Sequence, residues 1–205
     1  MLFDDTYKEI TKESIGIYKE RDSKFIAYAF YIEAEVDIKI KLEHVKKISN
    51  GANHYCYAYM LYKDRSSWRV HDDGEPKSTA GKPILSQIEK HRLTNIIIIT
   101  VRYFGGTKLG IPGLIRSYKN AALDAINNNT IITKSIQDQY EVLFRYKYIN
   151  KIMTLTKKYN LNIIDTNLNN NNCILLFTVN RTRSDLIFHT IKKENQLTIK
   201  YIKTV

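Results

Sequence analysis

Cysteine, proline, glycine and long apolar runs are all scarce in this chain, and each scarcity removes a class of protein. Its 205 residues hold two cysteines, Cys56 and Cys173, in no CxxC or other metal-ligand spacing. Neither a disulfide framework nor a zinc ribbon is encoded, and a reduced, cytoplasmic setting is expected. Eight glycines and three prolines are too few for a collagenous or linker-rich chain. The longest purely apolar run, Ile96–Ile99, falls far short of the roughly 18 residues of a membrane span, so no membrane association is expected. The opening residues Met1–Asp5 have neither a basic stretch nor an apolar core, and no secretory leader is expected. Repeats and heptads are missing as well.

What is present suits a folded, basic protein. With 43% hydrophobic and 26% charged residues, the chain can bury a core, as one large domain or two small ones. Lysine and arginine number 32 against 21 acids, a net charge of +11. From Tyr140 onward there are eleven basic residues and four acids, so the tail carries most of that charge in a third of the length. A field of one sign attracts polyanions, nucleic acid first among them. Abundant Ile, Lys and Asn are also what an A/T-rich genome produces without selection for binding, so charge alone leaves both readings open.

Periodicity divides the chain. Apolar-rich Ile15–Tyr18 and Phe25–Phe30 read as a strand pair around a polar turn, while in Ala34–Ile48 Val36, Ile38, Ile40 and Leu42 alternate like a strand but length, Lys/Glu content and the Asn50-Gly51 stop favour a helix. His54–Leu61 and Trp68–His71 read as strands, Pro83–Arg92 as a short helix with Pro83 in its first turn, Asn95–Tyr103 as a buried central strand, and Leu114–Ile126 as a helix. Polar Asn127–Thr130 and Thr133–Gln139 mark a boundary, giving domains 1–137 and 138–205. The tail reads βαββαβ, the ferredoxin-like order, with the polar run Asn167–Asn172 as a hairpin loop. Alternation places Val142, Phe144 and Tyr146 on one sheet face and Glu141, Arg145 and Lys147 on the other. Lys200 faces away from Leu197, Ile199 and Tyr201, so a sheet with one apolar and one basic face is expected. The fold class is α+β.

Two stretches are rich in chemistry. Asp72, Asp73 and Glu75 lie within four positions of a turn-forming segment. They are candidates for Mg²⁺ ligation or acid–base work, or for a turn whose acids bond their own backbone ahead of a helix capped by Ser78 or Thr79. Gly105, Gly106, Lys108 and Gly110 follow a strand and precede a helix, bracketed by Arg102 and Arg116. Glycine amides, a helix N-terminus and cations suit an anion, although the spacing is neither a Walker A loop nor a dinucleotide fingerprint. A tight strand-to-helix connection explains the same glycines. His54 and Cys56 share a strand face, where an imidazole-activated thiolate is conceivable, but no third orienting group is evident and packing is the expected role. Tyr55, Tyr57 and Tyr59 alternate with them, as a half-buried face or as a base-stacking platform.

Asp72–Pro83 (DDGEPKSTAGKP) and Val101–Tyr118 (VRYFGGTKLGIPGLIRSY), with Asn53–Tyr59 (NHYCYAY) and Asp22–Ala27 (DSKFIA), resemble the signature of the IMPACT/YigZ family over most of residues 14–127. At Ile111-Pro112 many members carry a small residue and glycine, so this loop is stiffer than theirs. The resemblance implies an N-terminal domain like the second domain of ribosomal protein S5, a sheet with helices on one side, and a C-terminal domain like the last domain of elongation factor G. It implies a signature surface including His54, Asp72, Asp73, Glu75, Thr79 and Phe104. Eukaryotic relatives are regulators of translation that act through the activator of an initiation-factor kinase, and this chain is expected to lack their partner-binding extension. The resulting expectation is a cytoplasmic, translation-associated factor. It binds structured RNA or the ribosome through Arg102, Gly105, Gly106, Lys108, Gly110 and Arg116 and, in the tail, Arg145, Lys147 and Lys200. No cofactor is expected unless the three acids hold Mg²⁺. The alternatives are a Mg²⁺-dependent enzyme acting on a phosphorylated small molecule and an adaptor for an acidic protein.

Overall fold

A computed structural model describes residues 5–169 and 172–205; the opening residues 1–4 and Asn170–Asn171 of the expected hairpin loop lie outside the described residues. The chain forms two compact units, Tyr7–Lys134 and a second comprising residues 5–6 with Ser135–Val205. The division falls three residues before the boundary expected from composition. The polar run read as a boundary, Thr133–Gln139, holds the end of β7 (Ile131–Ser135) and the start of β8 (Gln137–Phe144).

In the first unit, strands β2 (Ser14–Glu20), β3 (Ser23–Tyr31), β4 (His54–Leu61), β5 (Ser67–His71) and β6 (Ile96–Tyr103) form one antiparallel sheet in the order β2-β3-β6-β4-β5. β1 (Thr6–Ile10) pairs with β7 in a separate ribbon. The isoleucine run of β6 lies at the centre and is buried on both faces, which an antiparallel strand tolerates only where both faces are covered. On one face α2 (Gly81–Lys90) and α3 (Gly110–Asn127) close a core of Phe25, Ala27, Cys56, Ile84, Ile98 and Tyr118. On the other, α1 (Glu35–Ile48) sets Val45 over Phe30, Tyr59, Leu61 and Ile97. Helices therefore lie on both sides, a correction to the one-sided sheet the resemblance implied. The apolar residues of β3 and β6 run on consecutive positions rather than alternating, the sequence mark of a doubly covered sheet.

Local chemistry starts α1. Asp37 sits in the first turn of α1 and its carboxylate accepts the amides of Glu33 and Ala34 at 2.9 and 3.0 Å. Those bonds hold its carboxyl below the ordinary range, while Lys46 and Lys47 close the last turn, where the helix dipole favours cations. α3 begins at Gly110, four residues before the expected Leu114, so the end of the glycine-rich loop is its first turn.

The second unit is the βαββαβ fold read from the sequence: β8, α4 (Ile149–Tyr159), β9 (Asn162–Leu168), β10 (Cys173–Asn180), α5 (Arg181–Lys192) and β11 (Leu197–Thr204), in sheet order β11-β8-β10-β9. Tyr140, Val142, Leu175, Phe177, Ile152 and Ile187 form its core. The expected basic sheet face is absent. β8 ends at Phe144, so Arg145, Tyr146 and Lys147 belong to a 3₁₀ turn (Tyr146–Tyr148) and its lead-in, with Tyr146 exposed. Lys200 pairs in register with Glu141, while Leu143, Ile174 and Leu176 give that face an aliphatic centre. Most of this unit's cations sit on the helices, at Lys151, Lys157, Lys158, Arg181, Arg183 and Lys192.

Candidate functional site

The signature residues converge at one end of the first sheet, where the β5–α2 segment meets the β6–α3 loop, but the acids do not share a centre. The Asp72 carboxylate accepts the backbone amides of Ser78, Ala80 and Gly81 at 2.8, 3.1 and 2.8 Å. It caps α2 from a distance in sequence, whereas Thr79 donates its hydroxyl to the Pro76 carbonyl and neither Ser78 nor Thr79 provides the cap. Asp73 accepts the Tyr55 amide at 2.7 Å, and its carbonyl lies 2.8 Å from His54 Nδ1. Glu75 turns inward. Its Oε1 accepts from Arg102 Nη1 and from the Tyr118 hydroxyl, both at 2.8 Å, with His54 Nε2 3.9 Å away. Among the described residues no group of three or more His, Cys, Asp or Glu side chains is arranged to hold a metal ion. Three carboxylates committed to different donors leave no common oxygen cage of the kind Mg²⁺ requires.

Cys56 is buried beneath this loop, its Sγ 2.9 Å from the Asp72 carbonyl, to which it donates, and 3.4 Å from the Tyr118 hydroxyl. Burial pushes the thiol well above its ordinary pKa, and a thiol rather than a thiolate is no nucleophile. Its role is packing. Burial likewise keeps the Tyr118 phenol protonated, so it serves Glu75 as a donor.

The cations divide. Arg102 is buried, its side chain 6% exposed against 3% for Glu75, and its guanidinium is stacked between Phe25 and Phe104 at 5.5 and 5.3 Å from the ring centroids. Arg116 pairs with Glu20 through two guanidinium hydrogen bonds. Lys108, by contrast, is exposed. The Phe104 and Gly105 amides are taken by Asn53 Oδ1 and Ser23 Oγ. The loop is thus no open ring of amides and arginines. Gly106 and Gly110 take φ of +85° and +70°, values that glycine adopts without steric cost. In the second unit Lys147 stands in the 3₁₀ turn, Arg145 just before it and Lys200 on β11.

Hydrogen bonds from Arg116 chiefly, and from Ser117 and Tyr18, hold the Glu20 carboxyl below the ordinary carboxylate range. A depressed carboxylate contributes stability above its unfolded pKa of about 4.3, and that contribution is lost as the pH falls through the folded value. Thermal melts of the native protein and Arg116→Ala are therefore expected to differ slightly at pH 7 and to converge in acid. A gap of constant size from pH 7 to pH 3 refutes this account of the pair.

Between these groups lies a cleft of about 270 Å³. Pro76, Leu109, Ile111 and Leu114 form its apolar walls, Glu75 and Arg102 its polar floor, and Phe104, Lys108 and Gly110 complete the lining. Phe104 is 45% exposed. Arg102 Nε is buried without a hydrogen-bond partner among the described residues.

The other sheet face offers a surface that the motifs did not indicate. Register aligns Lys19, Lys24 and Tyr103 in one row. Ile17, Ile26, Val101 and Tyr55 form the next, then Ile15, Tyr28, Ile99, Tyr57 and His71. α1 covers the end of this face that carries Phe30 and Tyr59, and beyond it Ile15 and Ile17 are about half exposed. Tyr57 stacks on His71 at 5.2 Å, and Lys46 lies over Tyr55 at 5.9 Å. Tyr28, Ile99 and Val101 at the centre of these rows are buried, while Tyr55, Tyr57 and Tyr103 are half-buried. Exposed Lys19, Lys24, Lys46 and Arg69 rim the face, none of them in an ion pair among the described residues. The alternating Tyr55, Tyr57 and Tyr59 were the sequence signal. Which of them α1 leaves uncovered was not legible.

Residues 21–126 match the family model of the Impact N-terminal domain. The chain belongs to the IMPACT family. It is 32% identical over 147 residues to the IMPACT family member YvyE of Bacillus subtilis, covering 72% of this chain and 66% of that protein. To an IMPACT family member of Haemophilus influenzae it is 30% identical over 159 residues, 76% of this chain and 77% of the relative. A solved structure described as that of a hypothetical protein superposes with a TM-score of 0.67 at 23% identity, covering 97% of this chain and 98% of that one, a likeness of fold. Among the described residues no helix is long and apolar enough to cross a membrane.

Proposed function

We propose that this IMPACT family chain is a translation-associated factor that binds an unpaired segment of structured RNA, on the ribosome or free. The observation that carries the reading is the rim of this sheet face, where exposed Lys19, Lys24, Lys46 and Arg69, none in an ion pair among the described residues, surround half-exposed Ile15 and Ile17 and the half-buried rings of Tyr55, Tyr57 and Tyr103. Unpaired bases stack on aromatic faces while lysine and arginine track the phosphates. The eukaryotic relatives' connection with translation, implied by the sequence resemblance, agrees with such a partner. Compared with the expectation from the glycine-rich loop, the footprint moves: Arg102 and Arg116 are spent on Glu75 and Glu20, and only Lys108 of that trio is left for a phosphate.

Each phosphate contact contributes through counterion release, so affinity measured by filter binding or ribosome co-sedimentation is expected to fall with salt. Lys19→Gln/Lys24→Gln is expected to reduce the log–log slope by about 0.7 for each lysine removed. A salt response that is flat, or unchanged in the double variant, overturns the reading. Capture of an acidic protein that survives nuclease treatment would reassign the surface to a protein partner.

A further inference from the structure

We propose that the cleft between Glu75 and Phe104 receives one unpaired nucleobase of the bound RNA. This rests on the RNA reading above but on different residues. Aliphatic walls alone would accept any apolar group, and the floor is what selects. Arg102 is nine-tenths buried, lines the cleft and spends Nη1 on Glu75. Its Nε is sealed from solvent between the Phe25 and Phe104 rings. The group a ligand in the cleft meets is therefore the guanidinium's remaining Nη2 edge, which has no hydrogen-bond partner among the described residues and calls for an acceptor. The partner is not a bare anion, because Glu75 already neutralises the guanidinium and would repel a phosphate or carboxylate brought to the floor. What fits is an uncharged, flat group with hydrogen-bond acceptors on its edge and an anion a short distance away. A nucleotide within a strand has that form, with the base edge on Arg102, the ring against Phe104 and the phosphate outside at Lys108.

Size agrees. About 270 Å³ is just under the range of pockets that enclose drug-sized ligands, room for a ring system and little more. Position agrees as well. Phe104 directly follows Tyr103, which shares a row with exposed Lys24 and Lys19 on the lysine-rimmed sheet face. A strand lying over that face reaches the cleft by passing the end of β6.

The test uses the full chain and fluorescence anisotropy with three single probes: an eight-residue adenosine RNA oligomer, the same length of abasic ribose-phosphate, and a hairpin duplex. The base-bearing strand is expected to bind at least about tenfold more tightly than the abasic one. Phe104→Ala is expected to bring it down to the abasic level while leaving the abasic affinity unchanged, and Phe104→Trp to retain the preference; alanine substitution at a stacking position typically loses about 5- to 150-fold. Lys108→Gln is expected to weaken base-bearing and abasic strands equally. Phe104 is exposed, so its variants remain folded. Equal binding of base-bearing and abasic strands, or no change in Phe104→Ala, overturns the base pocket while RNA binding stands. If neither oligomer, duplex nor ribosome is bound, the functional reading fails and the pocket with it. If Phe104→Ala abolishes capture of a protein while RNA affinity is unchanged, the cleft belongs to a peptide.

Discussion

Glu75→Ala is expected to destabilise the protein by about 3–5 kcal/mol, the range seen when one partner of a buried ion pair is removed. The loss has two parts. Arg102, with 6% of its side chain exposed, is left charged and unpaired, and the Tyr118 hydroxyl loses its acceptor. At about 2–4 °C per kcal/mol for a chain of this size, the melting temperature should fall by roughly 10 °C or more. Glu75→Gln keeps an acceptor of similar shape and should cost distinctly less. The decisive comparison is with Glu75→Met/Arg102→Met, because replacing both members of a buried pair by apolar groups is commonly near neutral. The double variant is therefore expected to be more stable than Glu75→Ala. If thermal or urea unfolding finds the two equally damaged, the pair is not what fixes this region. Recovery in the double variant would mean that the pair is dispensable for folding, which leaves the polar floor of the cleft as its contribution.

Periodicity revealed what is local. The β6 isoleucine run, the α1 stop at Asn50-Gly51 and the βαββαβ order of the tail all follow from side chains a few positions apart. The site was harder because its pairings are remote. Glu75 meets Arg102 across 27 positions and Glu20 meets Arg116 across 96, and nothing in composition distinguishes a cation free to bind phosphate from one already bonded to an acid. Asp72 shows the same limit. A carboxylate ahead of a helix was legible as a turn residue, but its bonds to three amides six to nine residues onward depend on how the loop folds back. In the tail, alternation carried on through Arg145 and Lys147 although the ladder stops at Phe144, since two more alternating residues look alike whether or not a partner strand reaches them. The sheet-face surface was hidden for a related reason: apolar residues on successive positions announce burial on both faces, and only the placement of α1 shows that Ile15, Ile17 and the tyrosine rings beyond it keep part of their surface exposed.

The second large effect is expected at Gly105, for a reason unrelated to backbone torsion. A Cβ built there would lie 2.0 Å from the Asp22 backbone carbon and 2.2 Å from its oxygen, distances that no side-chain rotation relieves. Gly105→Ala must push the β2–β3 turn away from the β6–α3 loop, and overpacking against backbone should cost at least about 3 kcal/mol. Gly106 is the control. It has φ of +85° and open space around its Cβ position, so Gly106→Ala incurs only the left-handed conformational cost of about 1–2 kcal/mol. Unfolding in urea should rank native above Gly106→Ala above Gly105→Ala, and the reverse order would refute the close approach. The two variants should also differ in binding. Displacing Gly105 moves Phe104, its neighbour in the chain and the ring over Arg102, so any folded Gly105→Ala protein should lose its preference for base-bearing over abasic strands, whereas Gly106→Ala should keep it. A folded Gly105→Ala variant with that preference intact would separate the glycine's packing role from the cleft.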